Sequence, residues 1–510
     1  MGMSRVVWLS AVVAFVARFP SLLWPLRPDE AGFLLVARAW RPEADSVYGH
    51  YFVDRPPPII WLMQATDAVG GAYTHRLVGA VGCALLVLAA AAATREIARR
   101  AGLVDPAAVR RTTAWVAVAT AGLVSNAQID PVAVKGELLG IPLVMASCWL
   151  SLRAVRRMSP ADAFWAGFLA MLAVGLKQSI VGGLVFGGVL LVGSVLARQL
   201  PWRATSRCAL AAIAGAAVPV AAVVVWALVA GVRLEALWYV SVSFRSDASR
   251  IIATQNAEGA TGRIWVLLLV FIGVGMLLLV VCFLAQLPGM LRLDAVPVVA
   301  VVVMLGVDLV GVAVSGSYWM PYLFVLVPPL ALALALLLSN DRVRGTRDRV
   351  NPAAIAFVVA SSVVALVGWT GAWVGGRVPV EVRTGEALDA IAQPGDRVLV
   401  YGGRADIQWS THAASPYPYL WSLPMRTLDP GLDDLRSVLT GNNPPTWFVE
   451  ASYINTWSEL GTRPIESSLI RKYEFVVTAC DRYRIYHLNS VDPVKVDVDC
   501  TTPYRTIWGR

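Results

Sequence analysis

Lysine is nearly absent from this chain: of 43 basic residues, only Lys135, Lys177, Lys472 and Lys495 are not arginine. With the abundance of Ala, Val and Gly, that bias points to a GC-rich bacterial genome. Histidine is as scarce. His50, His75, His412 and His487 stand too far apart, with no cysteine pair at metal-ligand spacing, to read as a zinc site. The sequence has no Walker A lysine loop, no GxSxG elbow and no GxGxxG between a strand and a helix. Phosphate-loop NTPase, α/β-hydrolase and dinucleotide chemistries are thereby excluded. Charge is also low, at 15% of residues, and neither an internal repeat nor a low-complexity tract is present.

What fills the sequence instead is apolar. Hydrophobic residues make up 57% of it, 19 residues are Trp, and mean hydropathy is +0.63. A soluble domain could not bury so much apolar surface, so the chain reads as a mainly α, polytopic membrane protein. Apolar runs near 6–26, 73–94, 112–128, 136–152, 161–176, 179–197, 208–231, 264–285, 295–314, 319–338 and 353–375 predict about 11 transmembrane helices. Segment 59–72 is too short and too polar to span and reads as an interfacial helix. The first run lacks a small-residue cleavage site and continues into a charged loop, so it reads as a retained helix.

In such a protein the net charge of +9 reflects topology and contact with membrane lipids, and no nucleic acid is expected as a partner. If the spans alternate, the arginine-rich loops at 95–111, 153–157, 198–207 and 342–349 share one side, which the positive-inside rule makes the cytoplasm. The N-terminus is then cytoplasmic. Loop 27–58, Asp130, Lys135, Lys177, loop 232–263 and everything past about 376 lie outside.

Residues 1–376 thus read as the membrane domain and 377–510 as an extracytoplasmic α/β domain. The latter carries turn signals such as Pro394-Gly395-Asp396, helices at 381–392 and 432–440, and strands at 397–401, 446–450, 474–479 and 482–488. Cys480 and Cys500 are the only cysteines placed outside the membrane, and an oxidising compartment permits a disulfide between them.

The stretch Arg27-Pro28-Asp29-Glu30, followed by Arg55-Pro56-Pro57-Pro58, puts two carboxylates and two guanidiniums on a loop where a membrane helix ends. Ionisable groups against hydrocarbon cost several kcal/mol unless paired or wet, so they mark a candidate site. The plainer alternative is helix punctuation: Asp29 as N-cap, Glu30 in the first turn, and the prolines opening the next helix.

These residues resemble the GT-C class of polyprenyl-phosphate-sugar-dependent glycosyltransferases, particularly the family of protein O-mannosyltransferases and the aminoarabinose transferase of lipid A. The resemblance covers roughly 5–340. It rests on the first helix ending in Asp-Glu, the basic-Pro-Pro loop end, the interfacial helix and Arg76 opening the next span. It continues in Ile129-Asp130-Pro131, Gly175-Leu176-Lys177-Gln178, Ser317-Tyr318-Trp319-Met320-Pro321-Tyr322 and Pro328-Pro329. The chain departs from the family in having Arg55 where lysine is common, Gln178 for a small residue, and Pro321 where histidine often precedes the tyrosine. Arginine keeps the charge and suits phosphate. No role resting on that histidine carries over.

The resemblance implies transfer of a monosaccharide, mannose or arabinofuranose, from a polyprenyl-phosphate donor to a hydroxyl of a cell-envelope glycan, lipid or protein on the outer face. Asp29 is then the base, with Glu30 beside it as structural residue, metal ligand or sugar partner. Arg55, Lys177, Arg245, Arg250 and Tyr322 are candidates for donor phosphate, and Asp130 for a second acid or metal ligand. Each has a plainer reading: snorkelling for Lys177, a turn for Asp130, headgroup contact for Arg245 and Arg250, an aromatic belt for Tyr322. A divalent cation as cofactor is left open. Two other classes fit a polytopic basic chain, a lipid-sugar flippase or transporter and a non-catalytic envelope scaffold. The first would place ionisable groups near the bilayer midplane, where only Asp308 lies.

Overall fold

The computed structural model describes residues 3–502, apart from 23, 200, 255–256, 345–349, 375, 377, 457–458 and 490–494. Seven helices among these are long and apolar enough to cross a membrane: Arg5–Leu22, Pro57–Arg100, Gly136–Arg157, Trp202–Val229, Met276–Ala313, Met320–Asn340 and Pro352–Ala372. Three shorter apolar helices, Pro160–Leu176, Gly182–Leu196 and Gly259–Gly273, accompany them. The remaining expected span is the helix Pro106–Ser125, opened by Asp105, whose carboxylate accepts from the amides of Ala107 and Ala108.

Two breaks matter. The helix Pro57–Arg100 is interrupted at Gly70 and Gly71, which separates the stretch expected at the interface from the spanning part. The run 264–285, expected as one span, is two helices. The chain leaves Ala257–Gly273 through Gly275 at φ +87, a left-handed conformation open to glycine, and starts afresh at Met276. Hydropathy alone passes over such a turn because its residues are apolar.

The chain's ends of helices sort by charge. Along Pro57–Arg100, Arg76 stands at one end of the spanning part and Arg100 at the other, about 36 Å apart at 1.5 Å per residue. At the Arg100 end, Arg99 and Arg156 pair with Glu96, Arg153 with Asp162 and Arg100 with Asp294. At the Arg76 end lie the loops that carry Asp29, Arg55, Lys135 and Lys177.

The C-terminal region forms a four-stranded sheet of order β1-β2-β4-β3, from β1 (Val398–Tyr401), β2 (Trp447–Glu450), β3 (Tyr473–Ala479) and β4 (Tyr483–Leu488). β1 and β2 are parallel, and the other pairs are antiparallel. Both parallel strands are buried along their whole length, which is why they read as apolar runs, interrupted only by the buried Glu450 that ends β2. Val398, Val400, Trp447 and Val449 pack on one face with Leu388, while Leu399, Tyr401 and Phe448 pack on the other with Leu435, Leu439 and Ile465. The expected strands and the observed ones agree to within a residue.

Cys480 and Cys500 are bonded, with Cα atoms 5.4 Å apart, while Cys83, Cys148, Cys208 and Cys282 are free and buried. Closing a loop of 20 residues is worth about 3 kcal/mol in the chain-entropy view. Alkylation of denatured, non-reduced protein is expected to label four cysteines, rising to six after reduction. Six labelled thiols without reductant would refute the bond.

Candidate active site

Proline at the first position starts the helix Pro28–Ala39, and the next two residues are Asp29 and Glu30. Neighbours on a helix point about 100° apart, so the two carboxylates diverge. Glu30 turns inward and is 0% exposed. Its Oε1 accepts from Arg76 Nε at 3.0 Å and from the Val134 amide at 3.0 Å. Its Oε2 accepts from Arg76 Nη2 at 2.8 Å and from the Arg27 amide at 3.1 Å. Arg76 spends its other N–H groups on the carbonyls of Ser21, Trp24 and Pro25. Burial raises the Glu30 pKa, but Arg76 outweighs it and holds the group ionised. Both oxygens of Glu30 are thus taken up by hydrogen bonds within the protein.

Asp29 turns the other way and keeps 35% of its side chain exposed. Lys135 Nζ lies 2.7 Å from Oδ2, and the indole N–H of Trp421 donates to Oδ1 at 3.0 Å. Burial pushes this carboxyl up, yet Lys135, Arg55 and the Trp421 hydrogen bond prevail and bring it down to about 2. The expectation that desolvation would raise it is reversed, because a cation sits on the group. Lys135 is raised in return by Asp29 against its own desolvation.

The next residue groups follow from two helix ends meeting. Gly136 approaches so closely that a Cβ there would lie 2.7 Å from the Leu176 carbonyl. That contact brings Glu137, in the first turn of Gly136–Arg157, onto the ammonium of Lys177, which caps Pro160–Leu176. Lys177 also sits 4.0 Å above the Tyr322 ring. Burial pushes Lys177 down to about 8, with Glu137 opposing.

Asp54 is the third centre. Arg55 Nη1 folds back onto its Oδ1 at 2.7 Å, and Arg245 Nη2 reaches Oδ2 at 2.9 Å. Gln178 donates to the Asp54 carbonyl at 2.9 Å, which ties this loop to the Lys177 corner. Desolvation lowers the Arg55 pKa, but Asp54, Tyr322, Glu137 and Asp29 raise it on balance.

The cluster's ion pairs join three carboxylates (Asp29, Asp54, Glu137) to four cations (Arg55, Lys135, Lys177, Arg245), and Asp130 acts on Lys135 from the adjoining turn. Of the residues singled out from sequence it gathers Asp29, Arg55, Lys177, Arg245 and Tyr322. It leaves out Arg250, which is exposed and paired with Asp247 on its own helix. Asp130 acts on Lys135 through space but makes no ion pair with the cluster. Its Oδ1 accepts from the amides of Val132 and Ala133 at 3.0 and 2.9 Å, and Arg18 donates to its carbonyl. This is the turn role. Among the described residues no group of three or more His, Cys, Asp or Glu side chains converges to hold a metal.

Sequence reasoning missed Lys135, Glu137, Asp54 and Trp421. The scarcity of lysine was a signal for Lys135; a carboxylate in a helix's first turn, as Glu137 is, has an ordinary explanation.

An open recess of about 410 Å³ lies between Phe244–Thr254, Ala257–Gly273 and the turn 314–318, lined by Ser249, Ile252, Thr261, Ile264, Ser315 and Tyr318 among others.

No protein-family model and no curated protein matches the chain. Solved structures do. ArnT from Cupriavidus metallidurans bound to undecaprenyl phosphate superposes with a TM-score of 0.60 at 14% identity, over 94% of this chain and 97% of that one. The oligosaccharyltransferase of Archaeoglobus fulgidus in complex with zinc and sulfate gives 0.56 at 12% identity, over 95% and 73%. The archaeal oligosaccharyltransferase AglB from the same organism, with an inhibitory peptide and a dolichol phosphate, gives 0.50 at 12%, over 96% and 74%. The multi-pass helical body and its appended sheet have the GT-C fold, the architecture of these membrane glycosyltransferases.

Proposed function

We propose that the chain is a membrane glycosyltransferase moving mannose or arabinofuranose from a polyprenyl-phosphate donor to a hydroxyl of a cell-envelope glycan, lipid or protein. Residues 1–376 form the transferase body, and 377–510 an extracytoplasmic unit over its outer face. The reading is carried by one observation: a partly open, ionised Asp29 paired with Lys135 among the cations Arg55, Lys177 and Arg245, at helix mouths of the GT-C fold.

The acceptor oxygen bonds to the anomeric carbon as the bond from that carbon to the phosphate oxygen breaks, its electron pair leaving with the polyprenyl phosphate. The acceptor proton passes to Asp29. A carboxylate held at about 2 cannot take it from a free alcohol, so transfer comes late, once bond formation has acidified the oxygen. The phosphate gains a second negative charge as it leaves, and Arg55, Lys177 and Arg245 oppose it. The recess along 244–273 accommodates the first units of the prenyl chain, one to two helical turns from Arg245.

Because three cations share the phosphate, Arg55→Ala, and Lys177→Ala combined with Glu137→Gln so that no buried carboxylate is left charged and unpaired, are each expected to cut donor turnover about 30-fold, from a lost contact of about 2 kcal/mol. Wild-type turnover in either variant removes that residue from the set. The reading as a whole is tested by mass spectrometry of lipid co-purified with the protein, with and without added polyprenyl-phosphate mannose or arabinofuranose. A polyprenyl-phosphate species retained by the wild type and lost on Arg55→Ala supports it; no such lipid under either condition counts against it.

A further inference from the structure

Asp29 meets a residue from almost four hundred positions further along the chain. Trp421 lies just before the short helix Ser422–Leu428, and its ring rests on the helix Pro28–Ala39 where residue 32 is glycine. A Cβ at Gly32 would stand 2.3 Å from Trp421 Cζ2, so no other residue admits the indole here. Phe33 packs on the same ring at 5.3 Å between centroids. The segment that delivers Trp421 is itself fastened to the first external loop. The Phe52 amide donates to the Pro418 carbonyl at 3.1 Å, His50 Nε2 meets the Ser415 carbonyl at 2.9 Å, and the Ser415 amide donates to the Tyr51 hydroxyl at 3.2 Å. Nearby, Arg38 lies 4.2 Å over the Trp409 ring.

We infer that Trp421 is a positioning residue for Asp29, through which the sheet-bearing C-terminal region completes the active site of the membrane helices; this rests on the reading of Asp29 as the base. Lys135 is a point charge on a flexible stem and leaves the carboxylate free to rotate. The clamped indole N–H fixes one oxygen, and each carboxylate oxygen retains a further lone pair for the acceptor proton. The charged groups facing Asp29 are Lys135 and Arg55, both cationic, so the indole is its one neutral, directional partner among the described contacts.

The test compares Trp421→Phe, which keeps a ring on Gly32 but removes the donor, with wild type in nanodiscs. A second replacement, benzothienylalanine at position 421, keeps the bicycle and exchanges N–H for sulfur, in case phenylalanine perturbs folding. Both are expected to lower kcat about 10-fold with donor KM within about twofold. In an Asp29→Ala background, Trp421→Phe is expected to have no further effect. Wild-type kcat in both position-421 variants overturns the inference, as does an equal loss in the Asp29→Ala background, which would make Trp421 a docking residue only. Full turnover by Asp29→Ala itself overturns the base assignment first, and the inference with it.

Discussion

Asp29→Asn is expected to lower sugar transfer about a thousandfold, within the ~10² to 10⁴ range of a general base, with the protein folded and donor KM little changed. The substitution preserves size and removes no cap: the plainer reading from sequence makes Asp29 the N-cap, but that position is Arg27, because Pro28 already opens the helix and the Asp29 carboxylate faces Lys135 and Trp421. It also retains an oxygen for the Trp421 indole. What it removes is the negative charge that, in the proposed mechanism, receives the acceptor proton. The ion pair with Lys135 is partly open to solvent, at 35% and 23% side-chain exposure, so its loss costs stability little. If Asp29 only punctuated a helix, the variant would transfer sugar at the wild-type rate.

Glu30→Gln behaves in the opposite way. It strips the charge from a carboxylate with no exposure and strands the Arg76 guanidinium, costing about 3–5 kcal/mol, the usual penalty for breaking a buried pair. The expected outcome is poor accumulation and a markedly lower unfolding temperature, with activity lost through folding. Replacing Arg76 as well does not restore stability, because the carbonyls of Ser21, Trp24 and Pro25 lose their donor. A Glu30→Gln protein as stable as wild type yet inactive would move the base one residue along the chain.

The contrast between these adjacent carboxylates shows where sequence runs out. That both follow the end of a membrane helix is legible from hydropathy, and that they open a new helix, from Pro28. Which one faces the core depends on a partner 46 residues away, Arg76, and on a backbone amide at Val134. The strands were legible for a simpler reason. β1 and β2 are short β-branched and aromatic runs buried on both faces, a local pattern that needs no knowledge of neighbours. Gly275 hid a turn inside an apolar run, and hydropathy has no term for backbone direction.

The site itself is assembled by long-range pairings: Lys135 with Asp29, Glu137 with Lys177, Arg245 with Asp54, Trp421 with Asp29. Each of those residues has a local explanation as a cap, a first-turn acid or an interfacial aromatic, and only the fold shows that they converge. Arg250 makes the same point in reverse. It shares a helix with Arg245, but five residues of helix rotate it out to solvent, where it pairs with Asp247.

The most direct measurement follows radiolabelled polyprenyl-phosphate mannose and arabinofuranose presented to wild-type and Asp29→Asn protein in nanodiscs, with envelope from cells lacking the gene as acceptor. The account predicts that, with wild type, label from one of the two donors leaves the lipid for an envelope product as free polyprenyl phosphate accumulates, and that Asp29→Asn abolishes both. Label that stays on the lipid with wild-type and variant protein alike would contradict it.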